Sequence, residues 1–357
     1  MATTSLNKNL HRANQAKNDE FYTQLADIEN ELKHYKDRFR GKVVFLNCDD
    51  PYESNFFKYF ASNFKYLGLK KLIATSYAGS PIIGIQLPLP LMAGLKPNGK
   101  QPLKIEIYEV PDADGDGAVD LSDVRHLLEN DKNTATPITG NGDFRSDECI
   151  ELLKQADIVC TNPPFSLFRE YVKQLVEYEK KFLIIGNKNA TKYNVIFKLI
   201  KENKLWLGYR DINSDMWFTV PDGTVYEKII DGKKVKHIMA CWFTNLDTTK
   251  RHKKLDTYKK YSANEFPTYD NYNAIEVSKV ADIPMDYDGA MGVPITYVDK
   301  YNPDQFEILG VFDDKREKSE AFIQGNPTYV DEQHKRYVGP VIKGKALYTR
   351  ILIMRKK

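Results

Sequence analysis

ADIVCTNPPF, residues 156–165, reads as a buried strand that stops on a rigid polar turn. Small and β-branched apolar residues run together up to Cys160, and the run ends at Thr161 and Asn162. Pro163 and Pro164 fix two successive φ angles, and the first forces Asn162 itself away from helical backbone. Residues 166–178 then take up helical apolar spacing. The strand therefore presents Asn162 at a fixed place beyond its carboxyl end, where open parallel sheets bind their ligands.

The same rhythm extends in both directions from this point. Upstream, a helix is expected over 29–39, a strand over 42–47 (KVVFLN), a helix over 54–64 and a strand over 71–76. A third strand over 135–140 and a helix reaching 153 lead into residue 156. Downstream come a strand over 181–187 (KFLIIGN), a helix over 195–202, and strands over 205–209 and 238–244. Strands alternating with helices imply a parallel sheet with crossover helices, an α/β fold of the doubly wound, Rossmann-like kind. Residues 1–247 are assigned to this domain, with an insertion at about 79–134, and the shorter Tyr- and Lys-rich pieces of 248–357 to a second, α+β domain.

The composition fits. A chain of 357 residues with 42% hydrophobic content buries a substantial core, which excludes disorder and simple repeats. Cys48, Cys149, Cys160 and Cys241 are scattered without metal or disulfide spacing, so a reducing, cytoplasmic setting is expected. The first twenty residues lack the apolar core of a signal peptide. Residues 72–95 carry no charge, but Pro81, Pro88 and Pro90 with Gly79, Gly84 and Gly94 break any spanning helix, so no membrane segment is expected. The protein is taken as a monomer.

An Asn-Pro-Pro-aromatic turn suits methylation of an exocyclic amine. Such an amine is conjugated with its ring and weakly nucleophilic. Acceptors at Asn162 Oδ1 and the Pro163 carbonyl take its two hydrogens and move the nitrogen toward a pyramidal, attacking form. Pro164 completes the turn, and Phe165 offers a face for a flat substrate ring.

On these residues the chain resembles the EcoRI-type family of adenine-N6 DNA methyltransferases over nearly its whole length. Further matching stretches are NDEFYTQ (18–24), VVFLNCDDP (43–51), SNFFKYF (54–60), GDFRS (142–146), YDNYNA (269–274) and MGVPIT (291–296). The resemblance implies S-adenosylmethionine as methyl donor, a flipped-out adenine in double-stranded DNA as acceptor, and a restriction-modification setting with a cognate restriction endonuclease. It also implies that Phe21, Tyr22, Thr23 and Gln24 form a donor-binding element. The same four residues also read as a hydrophobic staple before the first helix.

Asn47, Asp49, Asp50 and Pro51 replace the Gly-rich turn usual in nucleotide folds, since no GxGxxG is present. Asp49 or Asp50 suits the cationic methionine end of the donor, while Asp50 equally reads as a helix cap. Asp143 would accept from the donor's adenine amine with Phe144 on its ring. Asp143 also reads as a cap for the helix near Ser146. The second strand ends in Thr75-Ser76-Tyr77 without the acid that commonly holds a ribose, so the ribose partner stays open.

Two charged features lie outside this frame. Asp112, Asp114, Asp116, Asp120 and Asp123 occupy positions 1, 3, 5, 9 and 12 of a calcium-loop spacing, with Gly117 at 6 and the carbonyl of Ala118 at 7. A structural Ca2+ staple is expected there, although Asp123 stands where Glu is usual. A solvated Asp/Gly turn is the other reading. The run TTKRHKKLDTYKK, residues 248–260, sets Lys250, Arg251, Lys253, Lys254, Lys259 and Lys260 against one acid and suits DNA phosphates.

The formal charge of +3 hides this contrast. Residues 104–131 hold nine acids and two bases, a net of −7, which leaves +3 − (−7) = +10 on the remainder. An enzyme of this fold acting on RNA or on a protein glutamine, or a calcium-dependent scaffold with an inactive core, are the alternative readings.

Overall fold

A computed structural model describes residues 22–48, 54–76, 102–112, 127, 132–220, 223–312, 329–330, 335–337 and 339–356. The chain divides into two compact units, Met1–Lys188 with Gly208–Leu246, and Asn189–Leu207 with Asp247–Lys357. Residues 189–207, placed by sequence in the first domain, thus group with the second unit.

The first unit is a mixed α/β structure. Its strands begin with β1 (Tyr22–Thr23), β2 (Val43–Leu46), β3 (Lys71–Thr75), β4 (Leu103–Ile107), β5 (Thr134–Pro137), β6 (Ile158–Thr161) and β7 (Lys181–Asn187). The main sheet runs β5-β4-β3-β2-β6-β7 and continues into Ala240–Thr244. Its centre is parallel across β3, β2, β6 and β7. Both flanks depart from the expected parallel pattern: β4 is antiparallel to β3 and to β5, and Ala240–Thr244 is antiparallel to β7.

The sequence reading put residues 103–107 in an insertion, but they form a strand of the sheet. LKIEI buries Leu103, Ile105 and Ile107 and leaves Lys104 and Glu106 half-buried. The two lysines Lys71 and Lys104 neutralise Glu106 at 2.5 and 3.3 Å, so the charged alternate positions are satisfied on one face of the strand. The strand expected over 135–140 lies at Thr134–Pro137 and pairs with β4, away from the parallel centre.

Helices cover this sheet where the apolar spacing predicts. Asn55–Ser62 buries Phe56, Phe57, Tyr59, Phe60 and Ala61, and Ser54 caps it by accepting from the Phe56 and Phe57 N–H groups at 3.1 and 3.3 Å. Phe168–Glu177 buries Phe168, Tyr171, Val172 and Leu175, an i, i+3, i+4, i+7 stripe. The Phe168 ring packs against β7, where a Cβ on Gly186 would come within 2.4 Å of it. Only glycine allows that approach.

The first helix starts at Leu25, four residues before the expected 29, because the Gln24 carbonyl already accepts from Asp27 and Ile28. Glu31 on this helix is fully buried. It accepts from the Tyr35 hydroxyl at 2.8 Å and from the Tyr209 and Arg210 N–H groups, the latter at 2.9 Å. A side chain at Gly208 would meet Glu31 Oε1 at 2.4 Å. The buried carboxylate thus fastens the segment that leads to Met216–Thr219.

A second sheet of the first unit, not foreseen in the sequence, runs β1, Met216–Thr219, Lys233–Ile238, Lys228–Ile230, all antiparallel. Asp231 and Gly232, at φ 47° and 74°, make the two-residue turn of its hairpin.

The second unit holds the sheet Thr268–Tyr269, Tyr272–Glu276, Met291–Pro294, Arg350–Arg355, Phe306–Phe312. Tyr269, Ala274, Phe312 and Leu352 are buried together in it. Glu276, also buried, is held by Arg350 at 2.7 Å and by the Tyr269 hydroxyl. Among the described residues no helix is long and apolar enough to cross a membrane, and the four cysteines are free.

Candidate active site at the carboxyl ends of the parallel strands

The site is built on β2, β3 and β6. Leu46 pairs with Ala74, so Asn47 and Thr75 are the next pair beyond the ladder, and β6 delivers Asn162 on the other side of β2. Pro163 is buried. Pro164 takes φ −53° and ψ 125° and then Phe165–Leu167 makes a single 3-10 turn, closed by the Leu167 N–H on the Pro164 carbonyl at 3.0 Å. The helix begins only at Phe168, two residues later than the sequence spacing suggests. Phe165 is half-buried, and Phe218 meets its ring edge-on with centroids 6.5 Å apart.

Asn47 is buried and its Oδ1 accepts from the Tyr171 hydroxyl. The sequence reading missed Tyr171, because a tyrosine in an i, i+3, i+4 stripe looks like core. It also meets Phe144 edge-on at 5.0 Å, and Gln174 from the same helix donates to the Phe144 carbonyl at 3.1 Å. One helix face therefore sets both Asn47 and Phe144.

Asp143 lies against Arg145, which donates from Nε at 2.8 Å, from Nη2 at 2.7 Å and from its backbone N–H at 2.9 Å. Burial raises the Asp143 pKa, but the guanidinium and N–H bonds outweigh it and hold the carboxyl below its usual range. The helix cap is Ser146, whose hydroxyl accepts from Cys149, and Asp143 does not take that role.

Tyr22, Thr23 and Gln24 are drawn toward the same ends. Asn55, at the start of its helix, donates to the Thr23 carbonyl at 2.7 Å, and Gln24 Nε2 donates to Thr219 Oγ1 at 2.7 Å. Phe21, Asp49, Asp50 and Pro51 lie outside the described residues.

Three buried polar atoms here have no hydrogen-bond partner among the described residues: Asn47 Nδ2, Thr75 Oγ1 and Thr23 Oγ1. An unmet buried donor or hydroxyl costs about 1–3 kcal/mol. Asn47 and Thr75, side by side at the ends of neighbouring strands, fit a polar ligand.

Of the calcium-loop residues, Asp112 is half-buried, and Asp114, Asp116, Ala118, Asp120 and Asp123 lie outside the described residues. Among the described residues no group of three or more His, Cys, Asp or Glu side chains is placed to hold a metal.

The basic run, in the second unit, is not uniform. Lys250 pairs at 2.7 Å with Asp299, whose side chain is 2% exposed. Arg251 stacks on Trp206 at 3.6 Å and donates to Asn203, and burial lowers its pKa. Lys259 pairs with Glu265 at 3.1 Å. Lys253, Lys254 and Lys260 are exposed.

A mixed α/β sheet with a fixed Asn-Pro-Pro-Phe turn beyond its central strand defines a protein of the amine-methylating class. The family described as "Adenine-specific methyltransferase EcoRI" matches residues 9–356, and the chain belongs to it. It is 45% identical to the Type II methyltransferase M.EcoRI of Escherichia coli, covering 100% of this chain and 99% of that one. It is 38% identical to M.MpnI of Mycoplasma pneumoniae, across 97% and 98% of the two chains, and 36% identical to M.MgeORF184P of Mycoplasma genitalium over the same shares. No solved structure matches. The chain is an adenine-specific methyltransferase, and the family implies S-adenosylmethionine as its donor.

Proposed function

We propose that the protein methylates the N6 amine of an adenine flipped out of double-stranded DNA, as the methyltransferase of a restriction-modification system whose cognate endonuclease acts on the same site. The observation that carries this is the rigid Asn162-Pro163-Pro164-Phe165 turn at the end of β6, in a chain of an adenine-specific methyltransferase family. Asn162 Oδ1 and the Pro163 carbonyl accept the two amine hydrogens, so nitrogen lone-pair density turns toward the methyl group. The prolines hold both acceptors without further ordering at the moment of transfer. Phe165, braced by Phe218, stacks on the purine and repays part of the unstacking cost of flipping.

S-adenosylmethionine supplies, when bound, an electrophilic methyl on a sulfonium. Asn47 Nδ2, Thr75 Oγ1 and Thr23 Oγ1 are the polar groups with capacity to hold it, together with Tyr22, Gln24 and the acids Asp49 and Asp50 beside Pro51. Both Asp143 oxygens serve Arg145, yet a carboxylate has about four acceptor positions, so it retains one for the donor's adenine amine. Phe144, held edge-on by Tyr171, is read as the ring that packs on the donor's adenine.

The first unit is read as a Rossmann-like catalytic domain and the second as the target-recognition domain. Phosphate contact in the basic run falls to Lys253, Lys254 and Lys260, because Lys250, Arg251 and Lys259 already have internal partners. A cytoplasmic setting accords with the four free cysteines, and the enzyme is read as a monomer. The calcium staple over 112–123 rests on spacing alone; calcium at 100 times its Kd should stabilise the chain by about 2.7 kcal/mol, and an unmoved melting temperature counts against it.

Incubating the protein with methyl-labelled donor and duplexes of varied sequence is expected to place label on adenine N6. Absence of label on every duplex, or label on an RNA competitor instead, overturns the DNA reading.

A further inference from the structure

The hairpin of Lys228–Ile230 and Lys233–Ile238 takes no part in the function above, and its surface is unusual. It carries Lys228, Lys233, Lys234 and Lys236 against Glu227 and Asp231. Val225, Tyr226, Ile229 and Met239, on it or beside it, are 77%, 45%, 59% and 53% exposed. Ammonium groups interleaved with bare apolar groups match a partner that offers both phosphates and sugar or base edges.

Its position within the first unit is defined by two contacts. Lys233–Ile238 pairs with Met216–Thr219, setting Lys236 opposite Phe218, the residue that braces Phe165. The Met239 carbonyl, just past the hairpin, accepts from the Lys188 N–H at 2.7 Å, immediately beyond the end of β7. The hairpin therefore rises from the carboxyl-end side of the sheet, the side that carries Asn162. The pleat sorts its residues: Trp217, His237 and Lys228 share one face, with Lys228 Nζ 3.5 Å from the Trp217 ring centre, while Lys234 and Lys236 share the other.

We propose that this hairpin is a DNA-contacting ribbon of the catalytic unit, lying along the duplex beside the flipped adenine, with Lys234 and Lys236 on phosphates. A two-stranded ribbon has the width of the major groove. The charge is complementary to DNA, and these lysines belong to the first unit. This proposal rests on the DNA reading above.

The test measures affinity of the full chain for a fluorescent duplex across salt concentrations. The double variant Lys234→Gln, Lys236→Gln, which clears one face of the ribbon, is expected to lower the slope of log K against log salt by about 1–2, at ~0.9 per phosphate contact. The matching Lys→Arg double variant should keep the wild-type slope, and donor affinity by calorimetry should be equal in all three proteins, which shows that the fold survives. A wild-type slope in the Gln variant, beside normal wild-type binding, overturns the ribbon and leaves the DNA reading standing. If the hairpin instead seats a second copy of the chain, that slope is again unchanged while sedimentation of the variant shifts, which also overturns it. Failure of the wild type to bind any duplex overturns both.

Discussion

The turn at Asn162 and the basic run at Lys250–Lys260 are equally prominent in sequence, yet they are made in opposite ways. In the turn, backbone fixes the chemistry: two prolines, a buried strand behind and a 3-10 turn ahead leave Asn162 little choice of position. In the basic run each charge has its own fate, and half of them already have a partner within the second unit. A motif whose residues constrain one another keeps its meaning on folding. A charge cluster is only a sum, and the fold redistributes it.

Asn162→Ala removes one of two acceptors from a rigid frame and should lower methyl transfer about 10²–10³-fold, as loss of a preorganised polar group does, with donor binding largely retained; single-turnover label transfer measures it. Gly186→Ala drives a methyl into the Phe168 ring that carries the helix after the turn. It should destabilise the protein by about 1–3 kcal/mol in urea unfolding, and lower activity only through the folded fraction.

Next, Lys250→Ala strands Asp299 in the interior and should cost about 2 kcal/mol in the same assay. Lys253→Ala should stay within about 0.5 kcal/mol of wild type but flatten the salt dependence of duplex binding by roughly 0.9. Equal stability losses for the two lysines would dissolve the distinction between structural and phosphate-facing bases. Smallest, Ser54→Ala removes the cap that accepts from Phe56 and Phe57 and should cost about 1 kcal/mol, read as a shift of the unfolding midpoint.

The parallel centre was legible because β2, β3, β6 and β7 are continuous apolar runs, the mark of strands buried on both faces. The flanks were not. LKIEI carries charges at alternate positions that are neutralised only by Lys71 and Lys104 once the sheet exists. The sheet containing Met216–Thr219 is set by long-range pairing with β1, about 195 residues away, a register no local pattern encodes. In the site, Asn162 and Asn47 were visible as polar stops after strands. Tyr171 and Gln174 were hidden on a helix whose spacing announces only burial, and the bond between Asp143 and Arg145 gave no sign beyond their closeness in GDFRS.

Where the main sheet changes direction, the chain leaves at Ser76 and returns at Leu103, and those two residues are bonded to each other twice: Ser76 N–H to the Leu103 carbonyl and Leu103 N–H to Ser76 Oγ, both at 2.9 Å. Exit and re-entry thus coincide, so the amount of chain spliced between them bears little on the strands. Doubling that length adds only about 0.6 kcal/mol of closure entropy. The clasp therefore works as a latch: it sets β4 against β3 from two residues alone, whatever length of chain lies between them.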